Sequence, residues 1–393
     1  MNRSQILYFK FPIILILAGL IQTAGLGAQN ILRALPAGVP AYSIRYELDK
    51  TQASQPVIAF LDQIDLVSDR VVKSIPIDPD YNSITFLDRD HLILCDTGGA
   101  MPYGKANIFD LKKEAVSATL EIEGIGPTLA IPAGGRIFVL TKKNNRLPGS
   151  RFRSWTAFEI FDRASLQKIG NIDLREGETV NESVSLSPDG KKLYFIGWNT
   201  LFLPYSAQGL IGMVDIGSGK LVKQFDYEKY FGGGRWVAAR SDKLYVSASE
   251  ADPKEDMKPA AERKLNSNLF IFNPDDLSLL KKVPIGILPE QMVYIPALDR
   301  LYIGHASLDN RTPQYLEVLD CKNDRVIAKI TVSGFRRMAY VGNNKLYVSC
   351  SGGPLFGSNG YGGILVINIK TNKIIKMIPG EYAPLSYSFE GRD

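Results

Sequence analysis

A chain of 393 residues, 45% hydrophobic and 22% charged, has the composition of a folded globular protein and excludes a disordered or fibrous one. Of the formal net charge of +5, two positive charges (Arg3 and Lys10) fall in the first 28 residues. The remainder is too weakly basic to argue for nucleic acid or an anionic lipid surface. Three widely spread cysteines, Cys95, Cys321 and Cys350, do not form a disulfide framework and read as buried thiols.

The first predicted element is a targeting segment. Arg3 and Lys10 precede or open the apolar run Phe11–Ile21, and Ala24–Ala28 supplies small residues for cleavage. Residues 1–28 therefore read as a secretory signal peptide, residues 29–41 as a lead segment, and residues 42–393 as one domain. This predicts a periplasmic or secreted protein. No later stretch is long enough to cross a bilayer as a helix.

From residue 42 onward one design repeats. Seven thirteen-residue segments open with Asp or Asn, pass through a short polar turn and continue as an alternating strand. They begin at Asp65, Asp110, Asp162, Asp215, Asn273, Asp320 and Asn368, spaced 45, 52, 53, 58, 47 and 48 residues apart. An apolar strand precedes each, and two strands joined by a tight turn follow, as in Ser183–Gly197 and Arg336–Cys350. The unit is a four-stranded meander, A-B-C-D. Its middle strands are apolar on both faces, so a lone meander cannot be stable, and seven packed around an axis can. The predicted fold is an all-β, seven-bladed β-propeller of four-stranded antiparallel blades. Leu385–Asp393 is expected to supply strand A of a shared blade, closing onto strands B to D from the N-terminus.

The B strands read Leu193–Gly197, Leu244–Ala248, Leu301–His305 and Leu346–Cys350, each opening on Leu-Tyr. With Ser187–Tyr194 (SPDGKKLY) and the D-strand pattern, they resemble the YVTN-repeat β-propellers over nearly the whole domain. The Asn column of that family is occupied here by Gly197, Ala248, His305 and Cys350. The resemblance implies a function within a range that includes surface-layer-associated binding proteins, propeller lactonases and propeller subunits of periplasmic amine dehydrogenases.

In this topology the D-to-A and B-to-C connections share one face, and the B-to-C loops are the long ones: 142–155, 198–209, 249–267 and 351–362. Loops on a rigid scaffold are where binding residues gather. At the leading end of each strand A, where it meets the axial channel, stand Asn82, Pro127, Glu182, Arg235, Glu290, Arg336 and Pro384. Asn82, Glu182, Arg235, Glu290 and Arg336 are the candidate ligand-binding set, a polar socket for a small acidic or zwitterionic ligand or for a partner's polar loop. The alternation of Glu and Arg equally suits mutual neutralisation. Tyr103, Arg151, Arg153, Trp155, Trp198, Tyr205, Trp236 and His305 form a candidate partner patch on the same face, Trp, Tyr and Arg being common interface anchors. Trp198 and Trp236 could instead fold inward.

Catalytic signatures do not assemble. His91 and His305 lack metal-ligand spacing, there is no G-x-S-x-G, and Gly217–Lys220 (GSGK) lies in a C-to-D turn. Gly232–Gly234 reads as a D-to-A loop. No metal or cofactor is called for. The expected function is an exported, non-enzymatic propeller, a monomer or part of a hetero-complex, that binds a protein or small ligand through its long-loop face. The alternative is a lactonase-like hydrolase using acids such as Glu182 and Glu290, or a subunit of a quinoprotein amine dehydrogenase.

Overall fold

The strand Ser267–Phe272 is buried along its whole length, as only a sheet covered on both faces allows. In the computed structural model seven four-stranded sheets provide that cover for one another. The structure describes residues 40–48, 57–96, 104–145, 153–199, 208–232, 234–249, 266–306, 314–350, 362–380 and 382–385. Every strand pair within a blade is antiparallel, and the A strands of blades one to three and of blades four to seven, with seven and one, contact their neighbours around the axis. The A strands of blades two to seven are Tyr81–Phe86, Ile125–Ala133, Glu178–Leu186, Gly234–Ala239, Pro289–Ile295 and Phe335–Tyr340. Among the described residues no helix is long and apolar enough to cross a membrane.

The first blade draws on both ends of the chain. Its strand order is Tyr382–Leu385, Ala41–Leu48, Val57–Asp65, Arg70–Ile77, with Ser43 opposite Leu385 and Arg45 opposite Tyr382. The described strand lies earlier than the segment 385–393 expected for it, and residues beyond 385 lie outside the described residues. Pro384 is compatible with this place because strand A is a sheet edge, where a missing N–H costs no ladder bond.

The recurring Asp or Asn has one physical job. Asp65, Asp110, Asp162, Asp215, Asn273, Asp320 and Asn368 each accept a backbone N–H two or three residues ahead, at 2.6 to 3.1 Å. Four residues after each, the chain passes through positive φ, at Asp69, Glu114, Leu166, Gly219, Leu277, Asp324 and Asn372. The Ser68 and Ser218 side chains first, with those backbone bonds, hold the Asp65 and Asp215 carboxyls below the usual range, and the backbone N–H groups of Lys113 and Ser165 do the same first for Asp110 and Asp162. The GSGK segment is one of these turns, between strands ending at Asp215 and beginning at Lys220.

The Leu-Tyr motif is also structural, and it includes the cation before it. The phenols of Tyr194, Tyr245, Tyr302 and Tyr347 are buried, and each reaches the C-to-D turn of the following blade. Tyr194 donates to Pro274 O at 2.9 Å, Tyr302 to Asn372 Oδ1 at 2.8 Å, and Tyr245 to Asp324 Oδ1 at 3.2 Å. Lys192, Lys243 and Arg300 reach the same three turns, at Asp275 (2.6 Å), Asp324 (2.8 Å) and Ile369 O (2.9 Å). The strongest sequence repeat is thus a staple between blades, on the face opposite the long loops.

Two connections differ from expectation. The B and C strands of blade three run on to Asn145 and from Arg153, so residues 142–145 and 153–155 of the expected loop are paired strand, while 146–152 lie outside the described residues. Alternating side chains and a continuous ladder favour extension over an irregular loop there. Strand D of blade four continues to Gly232 and the next strand A begins at Gly234, so the glycine run belongs largely to strands. All three cysteines are buried and none forms a disulfide among the described residues, and burial pushes the Cys321 and Cys350 thiols up to about 12, which makes them poor nucleophiles.

Candidate binding site at the axial mouth

Each innermost strand breaks register with its B strand at the same place. The shifts fall between Tyr81 and Ser83, Ile125 and Leu129, Val180 and Val184, Gly234 and Trp236, Pro289 and Met292, and Phe335 and Arg337. In the first blade the shift lies between the pairs at Arg45–Tyr382 and Ser43–Leu385. The extra residues of these bulges include Asn82, Pro127, Glu182, Arg235, Glu290, Arg336 and Pro384, the set read from the sequence as lining the mouth. A bulge adds a residue on one strand, bends it and re-aims its side chain. Seven at one level form a collar at the loop-face end of the channel.

The described side chains of the collar are half-buried at Asn82, Glu290 and Arg336. Oδ1 of Asn82 is buried without a protein partner. The backbone at Glu182 and Arg235 lies in its strand, while their side chains lie outside the description. Below the collar, side chains lace neighbouring A strands together. Val237 N donates to Ser183 Oγ at 2.9 Å and Ala239 N to Ser185 Oγ at 3.0 Å. Gln291 brackets Met338, donating to its carbonyl at 3.1 Å and accepting its N–H at 2.5 Å. Such bonds fix the collar's spacing by satisfying groups that a sheet edge leaves bare.

A second ring of charge lies under the D-to-A crossovers on this face. Glu159 is buried and accepts the N–H of Gly124 at 2.6 Å and of Glu123 at 3.0 Å, with Lys168 at 2.8 Å. Glu317 repeats the arrangement, with Gly286 N at 2.9 Å, Lys329 at 3.1 Å and His305 Nε2 at 3.2 Å. Burial alone would raise the Glu317 carboxyl, but the His305, Gly286 and Lys329 contacts prevail and hold it down to about 2. Asp62 is held by Arg45 Nε at 2.6 Å and Ser74 at 2.6 Å, and Glu178 by Arg175 at 2.6 Å and Gln224 at 2.8 Å. These acids anchor the scaffold of the mouth. Asp62, Glu159 and Glu317 stand three residues before the turn Asp, a spacing that makes them legible in the sequence once the fold is known.

The expected partner patch is only partly on the surface. Trp236 is 2% exposed and packs with Tyr245, Met292 and Leu301 between blades five and six, so it is core. His305 is 1% exposed, its Nδ1 2.9 Å from Ile287 O and its ring stacked on Tyr315 at 4.8 Å, and it too leaves the patch. Their apolar or ion-paired surroundings outweigh the exposure that a loop position suggests. Trp155 is half-buried, with Nε1 3.3 Å from Asp173, and Trp198 is half-buried opposite Thr179 and Gly209. Arg153 opens strand C of blade three opposite Asn145, and its side chain is outside the description. Tyr103, Arg151 and Tyr205 fall outside the described residues.

The sequence reading missed Arg337. It is 5% exposed, donates Nη1 to the carbonyl of Arg336 at 3.0 Å, and lies 6.0 Å from the Trp236 ring centroid. Its signal was the Arg336–Arg337 doublet, which places a second cation where blades two and four carry Ser83 and Ser183.

The fold defines the class: a seven-bladed β-propeller. No family model matches the chain, and no curated protein matches it in sequence. Among solved structures it is similar to Kuenenia stuttgartiensis hydrazine synthase, at 15% identity and a TM-score of 0.58, over 86% of this chain and 98% of that one. A candidate 6-phosphogluconolactonase from Bacteroides fragilis matches at 12% identity and a TM-score of 0.55, over 90% and 99%. Dihydro-heme d1 dehydrogenase NirN matches at 12% identity and 0.51, over 92% of this chain and 77% of that one. At these identities the likeness is one of fold, and the fold hosts enzymes and binding domains alike.

Proposed function

We propose that the protein is an exported binding propeller whose ligand seats at the axial mouth of the long-loop face. The observation that carries this reading is the collar of seven register shifts, which brings Asn82, Glu182, Arg235, Glu290 and Arg336 to one level. Polar residues of both signs on a rigid, laced ring suit a small acidic or zwitterionic solute. Binding rather than catalysis is supported by the buried acids of this face, since Asp62, Glu159, Glu178 and Glu317 are each engaged by a cation or by backbone N–H groups. Export rests on Arg3, Lys10 and the apolar run Phe11–Ile21, and intact mass of the secreted form tests it.

The binding reading is tested by thermal unfolding with a library of acidic and zwitterionic solutes. A ligand at about a hundred times its Kd adds roughly 2.7 kcal/mol of stability. Arg235→Ala and Arg336→Ala should abolish the ligand-induced rise in Tm while leaving the unliganded Tm nearly unchanged. Equal ligand-induced rises in the variants and the wild type would contradict the reading.

A further inference from the structure

Arg337 stands on strand A of blade seven and Trp236 on strand A of blade five, with strand A of blade six between them. Their 6.0 Å approach therefore runs along the axial side of blade six, inside the channel. Both side chains are almost wholly enclosed. Among the described residues no carboxylate pairs with Arg337, whose guanidinium donates to the neighbouring carbonyl of Arg336. A buried charge is normally paired, because removing it from water is costly. With one guanidinium face toward the indole and one N–H committed, the remaining N–H edge suits a planar oxyanion.

A complementary demand lies two A strands further round the ring. On blade two, Asn82 Oδ1, Ser83 Oγ and Thr85 Oγ1 are buried without protein partners. The corresponding Ser183 and Ser185 of blade four are satisfied by backbone N–H groups of blade five. Among the described residues the channel thus holds a cation without a paired carboxylate on one side and acceptors without protein donors on another.

The geometry points to a carboxylate subsite beneath the collar, in which Arg337, backed by Trp236, grips the carboxylate of a small amino or hydroxy acid and Asn82 receives that acid's N–H or O–H. This deepens the proposed function and rests on its placement of the ligand at the mouth, while naming a different anchor. An isolated inorganic anion such as phosphate or chloride would satisfy the Arg337 side alone.

Trp236 gives a direct readout. A variant carrying Trp155→Phe and Trp198→Phe retains Trp236 as its single tryptophan. Titration with glycine, lactate, acetate, phosphate and chloride, followed by its fluorescence, should show saturation with glycine or lactate at least tenfold tighter than with acetate, phosphate or chloride. In that background Arg337→Gln should abolish saturation, Arg337→Lys should weaken it by keeping charge without the fork, and Asn82→Ala should erase the advantage over acetate. Unfolding curves of each variant separate lost binding from lost folding. Unchanged affinity in Arg337→Gln, or no saturation by either acid in the folded parent, overturns the subsite. If Arg235→Ala and Arg336→Ala abolish binding of some other solute while Arg337→Gln does not, the mouth reading stands and this inference fails. Saturation by phosphate or chloride at equal affinity also overturns the assignment to carboxylic acids.

Discussion

Tyr347 donates its hydroxyl to Oδ1 of Asp69 at 2.6 Å, joining the B strand of the last blade to the C-to-D turn of the first. Lys345 reaches the same carboxylate at 2.8 Å and the carbonyl of Leu66 at 2.7 Å. The staple that links blades four to seven in sequence order therefore also joins residues 278 positions apart. Tyr347→Phe leaves a buried carboxylate oxygen with one partner fewer and should cost about 1–3 kcal/mol in urea unfolding. Tyr302→Phe, whose partners are an Asn and a carbonyl, should cost less. A cost below that of Tyr302→Phe would show that the staple between last and first blades is not a special constraint.

Truncation after Pro379 removes the strand Tyr382–Leu385 and bares the edge of Ala41–Leu48. Hydrogen exchange should then speed up at residues 41–48 well before it does at 244–249, whose strand keeps both neighbours. Equal protection in both segments would contradict the pairing of the chain ends.

Glu317 carries a pH signature. Its carboxyl is held at about 2 against an ordinary 4.5. A depressed carboxylate contributes stability that is fully present above pH 4.5 and is lost as pH falls towards 2. The shift corresponds to roughly 3 kcal/mol. Glu317→Gln should therefore be less stable at pH 7, and the gap from wild type should narrow as pH falls through that window. A gap that stays constant from pH 6 to about 2.5 would mean that the fold does not hold the Glu317 carboxyl down.

Gly212 lies under the ring of Phe195, where an added Cβ would collide with the aromatic carbons. Gly212→Ala should cost about 1–3 kcal/mol by overpacking. Gly170, which has open space at the same test, should tolerate Ala with little loss in unfolding free energy.

Much of this fold was written in residue order because its local rules repeat. Turn Asp or Asn, left-handed fourth residue and apolar C strand recur seven times, so periodicity exposes them. The collar positions were legible for the same reason, by aligning the leading ends of strand A. What stayed hidden depends on neighbours distant in sequence. Whether Trp236 faces solvent or blade six is decided by Met292 and Leu301, and whether His305 is a surface group is decided by Glu317. Arg337 was passed over because its contact with Trp236 skips an entire blade. Leu-Tyr looked like a family signature, yet physically it is an inter-blade staple, and it says nothing about the ligand.

The most direct test of the central claim is a hydrogen-exchange footprint of the protein, taken with and without the tightest-binding small acid. Protection should centre on the backbone around Asn82, Glu182, Arg235, Glu290 and Arg336, at the seven register shifts of the loop face. Protection confined to the opposite face, at turns such as 65–70 or 320–325, would place the ligand at the wrong end of the propeller and contradict the account.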